Sequence, residues 1–199
     1  GNNFGALTLA SNSGSAAGAD IALTENNTLN VNSVNAGTGG KIALTSESAN
    51  IIQTATGTGL TGATAPLTAA ISLTAAKGNI TLTGTNATNG APITISTTGN
   101  LALTDSSTAT KLASGTTVTG TTTIRNTNGA GTVSDVSGGV LLNGAVLIDM
   151  TGAAATGNIS ITGSGNSFGA IQFRANTVTI AEDKTLNIAA GSLATGTAT

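Results

Sequence analysis

Eight carboxylates and six basic side chains make up the whole charged inventory of a 199-residue chain that has no His and no Cys. Without imidazole there is no histidine general base, no Ser-His-Asp triad and no ordinary zinc site. Lack of thiols rules out a disulfide framework and a cysteine nucleophile. What remains is Asp20, Glu25, Glu47, Asp105, Asp135, Asp149, Glu182 and Asp183. A polysaccharide-cleaving enzyme would bring two or three carboxylates to one groove, one as acid and another as base or nucleophile. Glu25 and Glu47 are the best pair, provided that the chain stacks them on neighbouring turns; a solvated turn pair is the reading the sequence favours. Glu182-Asp183-Lys184, the only charge cluster, reads as a polar turn because charge is expensive in a dry interior.

Binding chemistry is equally sparse. Gly37-Thr38-Gly39-Gly40 and Gly138-Gly139 lack the Asp that Gly-Gly-x-Gly-x-Asp calcium repeats use. Lys77-Gly78 does not end a phosphate-binding loop. The bases Lys41, Lys77, Lys111, Arg125, Arg174 and Lys184 are scattered and have no aromatic platforms beside them, which argues against nucleic acid. No catalytic, cofactor-binding or metal-ligating residue is assigned, no cofactor is expected, and the chain does not read as an enzyme.

The elements that would position any site are legible instead. A phrase of branched aliphatic, small or polar, branched aliphatic, usually followed by Thr, recurs throughout: Leu7-Thr8-Leu9, Ile21-Ala22-Leu23-Thr24, Ile42-Ala43-Leu44-Thr45, Ile71-Ser72-Leu73-Thr74, Ile80-Thr81-Leu82-Thr83, Ile93-Thr94-Ile95, Leu101-Ala102-Leu103-Thr104 and Ile159-Ser160-Ile161-Thr162. Period-two alternation bounded by Gly and Asn predicts short strands with one buried face. Hydrophobic residues are 39% of the chain but aromatics only 2%, so Ile, Leu, Val and Ala must fill the core, which suits narrow regular layers. Charged residues are only 7%, yet net charge is −2 and mean hydropathy +0.25, against the low hydropathy and high charge of disordered chains.

Strand starts fall at alternating short and long steps, so a full cycle takes about 21 or 22 residues. These features predict an all-β fold, a parallel β-helix (β-solenoid) of about nine coils, with residues 1–199 forming one solenoid segment of a longer repetitive protein. Asn89-Gly90, Asn128-Gly129 and Asn143-Gly144 permit hairpins and keep a β-sandwich as the alternative. The stretch 57–70 lengthens one cycle and reads as a protruding loop; from Thr104 to Ser137 the pattern loosens to the core markers Val118, Ile124, Val133 and Val136. Asn79, Asn100, Asn158 and Asn187 are expected to stack coil upon coil through their side-chain amides. Thr8, Thr24, Thr45, Thr74, Thr83 and Thr104 would form outward rows, with Thr121-Thr122-Thr123 supplying the Thr-x-Thr spacing an ice-binding face would need.

One repeat has a longer range. Gly1-Asn2-Asn3-Phe4-Gly5-Ala6-Leu7 returns as Gly165-Asn166-Ser167-Phe168-Gly169-Ala170-Ile171. Displaced by seven residues, Glu25-Asn26-Asn27-Thr28-Leu29-Asn30-Val31 returns as Glu182-Asp183-Lys184-Thr185-Leu186-Asn187-Ile188.

The phrases Gly-Asn-x-Phe-Gly-Ala, Gly78-Asn79-Ile80-Thr81-Leu82-Thr83 and Gly99-Asn100-Leu101-Ala102-Leu103-Thr104 resemble the filamentous haemagglutinin-type repeats of large bacterial exoproteins, the adhesins of two-partner secretion. The resemblance implies a right-handed parallel β-helix, export across the outer membrane, and work as a rod, adhesin or matrix component at the bacterial cell surface. The secretion module that precedes such repeats is not recognisable in this sequence. Expected partners are other copies, through self-association or head-to-tail stacking, and a host or surface glycan; membrane insertion is not expected, since no apolar run approaches the ~18 residues needed to span a bilayer. A carbohydrate-binding or carbohydrate-cleaving β-helix is the alternative, and ice binding a more distant one.

Overall fold

Alternating Ile, Leu and Val give each strand one face that must leave water, and a short strand can satisfy this only by lying flush on an equivalent strand of the next coil. The computed structural model describes residues 4–11, 18–53, 59–60, 70–150 and 156–199. Its strands, in chain order, are β1 (Leu7–Ala10), β2 (Ile21–Glu25), β3 (Leu29–Asn35), β4 (Ile42–Ser46), β5 (Ile51–Gln53), β6 (Gly59–Leu60), β7 (Ile71–Ala75), β8 (Ile80–Asn86), β9 (Pro92–Thr97), β10 (Leu101–Asp105) and β11 (Ala109–Leu112). They continue as β12 (Thr117–Val118), β13 (Thr122–Asn126), β14 (Thr132–Asp135), β15 (Leu141–Leu142), β16 (Val146–Asp149), β17 (Asn158–Ile161), β18 (Ser167–Phe168), β19 (Ile171–Ala175), β20 (Thr177–Ile180) and β21 (Leu193–Ala194).

The chain passes back and forth between two sheets. One stacks β1, β3, β5, β8, β10, β13, β16, β19 and β21; the other runs from β2 through β4, β7 and β9, and then through the short pairs β11 and β12, β14 and β15, β17 and β18, to β20. Strand pairing among the described residues is parallel throughout, which excludes the sandwich alternative. The expected parallel β-helix is therefore the fold. Coil length varies along it. Ile21 lies opposite Ile42 and Leu101 opposite Thr122, each 21 residues on. Ile42 to Ile71 takes 29 residues and Val146 to Ile171 takes 25.

Side chains of one kind line up along the axis. Ile21, Ile42, Ile71 and Ile93 form one inward column, and Leu23, Leu44, Leu73 and Ile95 the next. Across the core, Ile51, Ile80, Leu101, Thr122, Val146 and Ile171 face them, flanked by Leu82, Leu103, Ile124, Ile148 and Phe173. Nearly all are fully buried, each aliphatic side chain contributing about 1.5–3 kcal/mol.

The corner between the sheets explains the recurring Gly-Asn. Gly78, Gly99, Gly120, Gly144 and Gly169 stack so closely that a Cβ on any of the last four would run into the carbonyl oxygen of the glycine before it. Beside that column Asn79 N donates to Asn50 Oδ1 (2.8 Å), Asn100 N to Asn79 Oδ1 (2.7 Å) and Thr121 N to Asn100 Oδ1 (2.8 Å). The expected asparagine ladder thus exists for Asn79 and Asn100, but it runs from side chain to main chain. Asn158 accepts from Thr177 N at 3.3 Å in the same manner, while Asn187 is exposed.

Two irregular stretches differ in outcome. Within the expected loop 57–70, Gly59–Leu60 is a strand: it pairs with Ser33 and Val34, and Leu60 is fully buried with its N–H donated to Asn86 Oδ1. Residues 57–58 and 61–69 lie outside the described residues. In the loosened stretch Val118, Ile124 and Val133 are buried as expected, and Val136 is half-buried.

Candidate functional site

Glu25 and Glu47 do stack, since Glu47 N donates to Glu25 O at 2.9 Å, but their side chains diverge. The register partner of Glu25 is Ser46, so Glu47 sits one residue further along, and a one-residue offset in a strand reverses the face. Glu25 points inward and is 1% exposed, whereas Glu47 points to solvent. The geometry offers no shared proton and no shared substrate for the pair.

The other carboxylates act as acceptors for turns. Asp20 Oδ1 takes Lys41 N at 2.9 Å; Asp135 takes Thr162 N, Gly163 N and Asn166 Nδ2 at 2.7–3.0 Å; Asp183 Oδ2 takes Gly165 N at 3.0 Å. Asp105, at 0% exposure, is the most enclosed. Its oxygens accept from Thr88 N and Ser107 N and from the hydroxyls of Thr88, Ser107 and Thr110 at 2.6–3.2 Å. It stands in register between Asn86 and Asn126, so one column of buried amide and carboxylate groups serves the corner on three successive coils. Asp149 Oδ2 is paired with Arg125 Nη2 at 3.0 Å, and Arg174 follows on the next coil. Among the described residues no group of three or more His, Cys, Asp or Glu could hold a metal ion.

One arrangement was half visible in the sequence. Phe4 N donates to Glu25 Oε1 (3.2 Å) and Phe168 N to Glu182 Oε1 (2.7 Å), so both copies of the long-range repeat make the same clasp. In each, the second oxygen, Oε2, is buried without a hydrogen-bond partner. The strands match as well: Leu7 lies opposite Val31, and Ile171 opposite Ile188. The seven-residue displacement falls in the connection from Ala10 to Ile21, which is reduced in the second copy to the step from Arg174 to Val178. Glu182-Asp183-Lys184 is indeed a turn after β20, but its two carboxylates also hold the N–H groups of Phe168 and Gly165. The Phe-to-Glu correspondence in the two copies was the available signal.

The first sheet carries Arg125 and Arg174 outward, and the second carries Lys111 outward, but one row of the second sheet is neutral. Thr24, Thr45, Thr74, Ser96, Thr117, Leu141 and Ser167 form one in-register outward row. Thr8, Thr83 and Thr104 belong to the opposite sheet, so the expected outward Thr positions are divided between two faces. Thr122 points inward, and Thr123 lies in register with Ala102 and Leu147; Thr-x-Thr is not continued from coil to coil. A groove of about 210 Å³ on the first sheet is lined by Thr121, Thr123, Ala145, Leu147, Ala170 and Gln172, with neither carboxylate nor aromatic ring. Of the six basic residues, Arg125 and Arg174 come together in one row, on either side of Asp149.

No helix among the described residues is long and apolar enough to cross a membrane. No family model, no curated protein and no solved structure matches the chain.

Proposed function

We propose that this chain is a segment of a secreted bacterial surface protein, a β-solenoid rod whose work is to extend, to adhere or to self-associate into fibres. The observation that carries the reading is the use of its few charged groups: Asp20, Glu25, Asp105, Asp135, Glu182 and Asp183 all accept main-chain N–H groups of neighbouring turns. Chemistry that an enzyme would aim at a substrate is spent on holding coils in register. Support also comes from the Gly-Asn phrases shared in kind with filamentous haemagglutinin-type repeats, which here occupy a corner where glycines of successive coils lie in close contact. Length in such a protein is set by the number of coils, and its surface includes one long neutral row, mostly Thr and Ser, on the second sheet.

Cleavage of carbohydrate draws no support from the divergence of Glu25 and Glu47. Glycan binding along the neutral row of the second sheet stays within the adhesive reading. Negative-stain microscopy should show straight, narrow particles, and antibodies raised to the chain should label intact cells of its source. Compact particles, or label confined to the cell interior, would overturn the proposal.

A further inference from the structure

We infer that the first sheet carries a binding site for a linear acidic polysaccharide with one carboxylate per disaccharide, laid along the rod axis over β13, β16 and β19. This rests on the adhesive reading above and names the ligand and the residues that meet it. Strand alternation gives these three coils a common outward face. Thr123, Leu147 and Gln172 form one row of it, and Arg125, Asp149 and Arg174 the next. The groove of about 210 Å³ follows the first row, with the small side chains of Ala145 and Ala170 on its other side, so the charged row runs along its edge. Two of the chain's six basic residues thus flank a single carboxylate. Asp149 is 2% exposed and accepts from Arg125 at 3.0 Å, yet the Arg125 side chain stays 54% exposed, and Arg174 is exposed on the far side. The row keeps an excess positive charge facing solvent, and its complement is an anion.

Spacing and sign select the ligand. Neighbouring coils are about 4.8 Å apart, close to the advance of an extended polysaccharide per sugar, so a chain along the axis sets one sugar on each coil. Arg125 and Arg174 stand two coils apart, about 9.6 Å, close to the length of one disaccharide. Carboxylates on alternate sugars therefore meet a guanidinium fork at each end, the planar pairing that arginine provides. The sugar between them lies over Asp149. A third carboxylate there would meet like charge, whereas sugar hydroxyls can donate to it. In the groove the Thr123 hydroxyl and the Gln172 amide offer both donors and acceptors to the remaining hydroxyls, and with no aromatic ring present polar contacts carry the recognition.

Three hexasaccharide probes, titrated by calorimetry against the whole chain at low salt, separate this site from plain ion exchange. Hyaluronan, with a carboxylate on alternate sugars, should bind tightest. Hexagalacturonate, with twice as many carboxylates, should bind several-fold more weakly, and neutral cellohexaose should not bind detectably. Arg174→Gln, at an exposed position, should weaken hyaluronan binding about fivefold while circular dichroism stays unchanged. Arg125→Gln should weaken it to a similar degree, but it also takes a partner from buried Asp149, so Arg174→Gln is the deciding variant. Lys111→Gln, on the other sheet, should leave the affinity as it is. Affinity that simply follows ligand charge, with hexagalacturonate tightest, would overturn the inference, as would an equal loss in Lys111→Gln or no hyaluronan binding at all. Microscopy separates the two levels of failure: narrow rods that bind no probe remove the site and keep the rod, whereas compact particles remove the rod reading itself.

Discussion

The second sheet is built in two ways along its length. From β2 to β9 each coil contributes one unbroken strand with an Ile-x-Leu or Ile-x-Ile pair inside. Beyond β9 the strand is split: Leu112 pairs with Ile93 and Thr117 with Ser96, so five steps of chain face three. The extra residues form a kink at Gly115, whose φ of 82° is left-handed, and Gly138 and Gly165 take the same conformation in the next two coils. A kink removes ladder partners, and buried polar side chains replace them. Thr116 Oγ1 accepts from Ile95 N and donates to Ile93 O, both at 3.2 Å; Asn166 Oδ1 accepts from Val140 N at 2.9 Å. The first region is held by main-chain ladders and aliphatic columns, the second by those together with specific side-chain bonds. Robustness to substitution should therefore differ between them.

The largest effect should come from the apolar columns. Leu73→Asp buries a charge between Leu44 and Ile95 and should abolish folding, whereas Leu141→Asp, exposed in the split region, should shift the thermal midpoint by less than 2 °C (about 0.5 kcal/mol for a chain of this size). Next is the polar corner. Asp105→Ala leaves several buried donors unpaired and should cost about 3–5 kcal/mol in urea unfolding. Asp105→Asn should cost only about 1 kcal/mol, because Thr88 and Thr110 hydroxyls can rotate to donate elsewhere and accept, and Asn already fills this place at 86 and 126.

Two buried threonines sharpen the contrast further. Thr116→Val should destabilise by about 1–2 kcal/mol, since it removes the hydroxyl that repairs the kink. Thr122→Val should stabilise by up to about 1 kcal/mol, because Thr122 Oγ1 is buried without a partner between Leu101 and Val146. A stabilising Thr116→Val would show that the hydroxyl at 116 has no bonding role, and a destabilising Thr122→Val that the hydroxyl at 122 has one. The smallest effect is at the asparagine ladder: Asn100→Ala should cost about 1 kcal/mol and Asn187→Ala nothing measurable.

The same division decided what the sequence made legible. Columns such as Ile21, Ile42, Ile71 and Ile93 announce themselves, because an unbroken strand repeats its buried residue type at the same place in every coil. The split coils bury Thr110, Thr116 and Asn166, whose types also suit an exposed face, so period-two reading loses them. Gly-Asn was legible as a motif, but its cause, a glycine column with amides accepting main-chain N–H groups, needs the corner in three dimensions. Stacking of Glu25 and Glu47 was legible but the burial of Glu25 was not, because sequence spacing reports stacking and not face. The repeat of Phe4 and Glu25 at Phe168 and Glu182 was visible as letters, and only the different connection lengths hid that both make one clasp.

The central claim, that successive coils lie parallel and in register, is tested most directly by pulsed electron resonance between spin labels on the outward row of the second sheet. With one label fixed at Thr24 and the other moved to Ser96, Thr117, Leu141 and then Ser167, the separation should rise in even steps of about 4.8 Å, from roughly 14 Å to roughly 29 Å between backbones. Distances that fall, alternate or stay flat along this series would contradict the stacked solenoid.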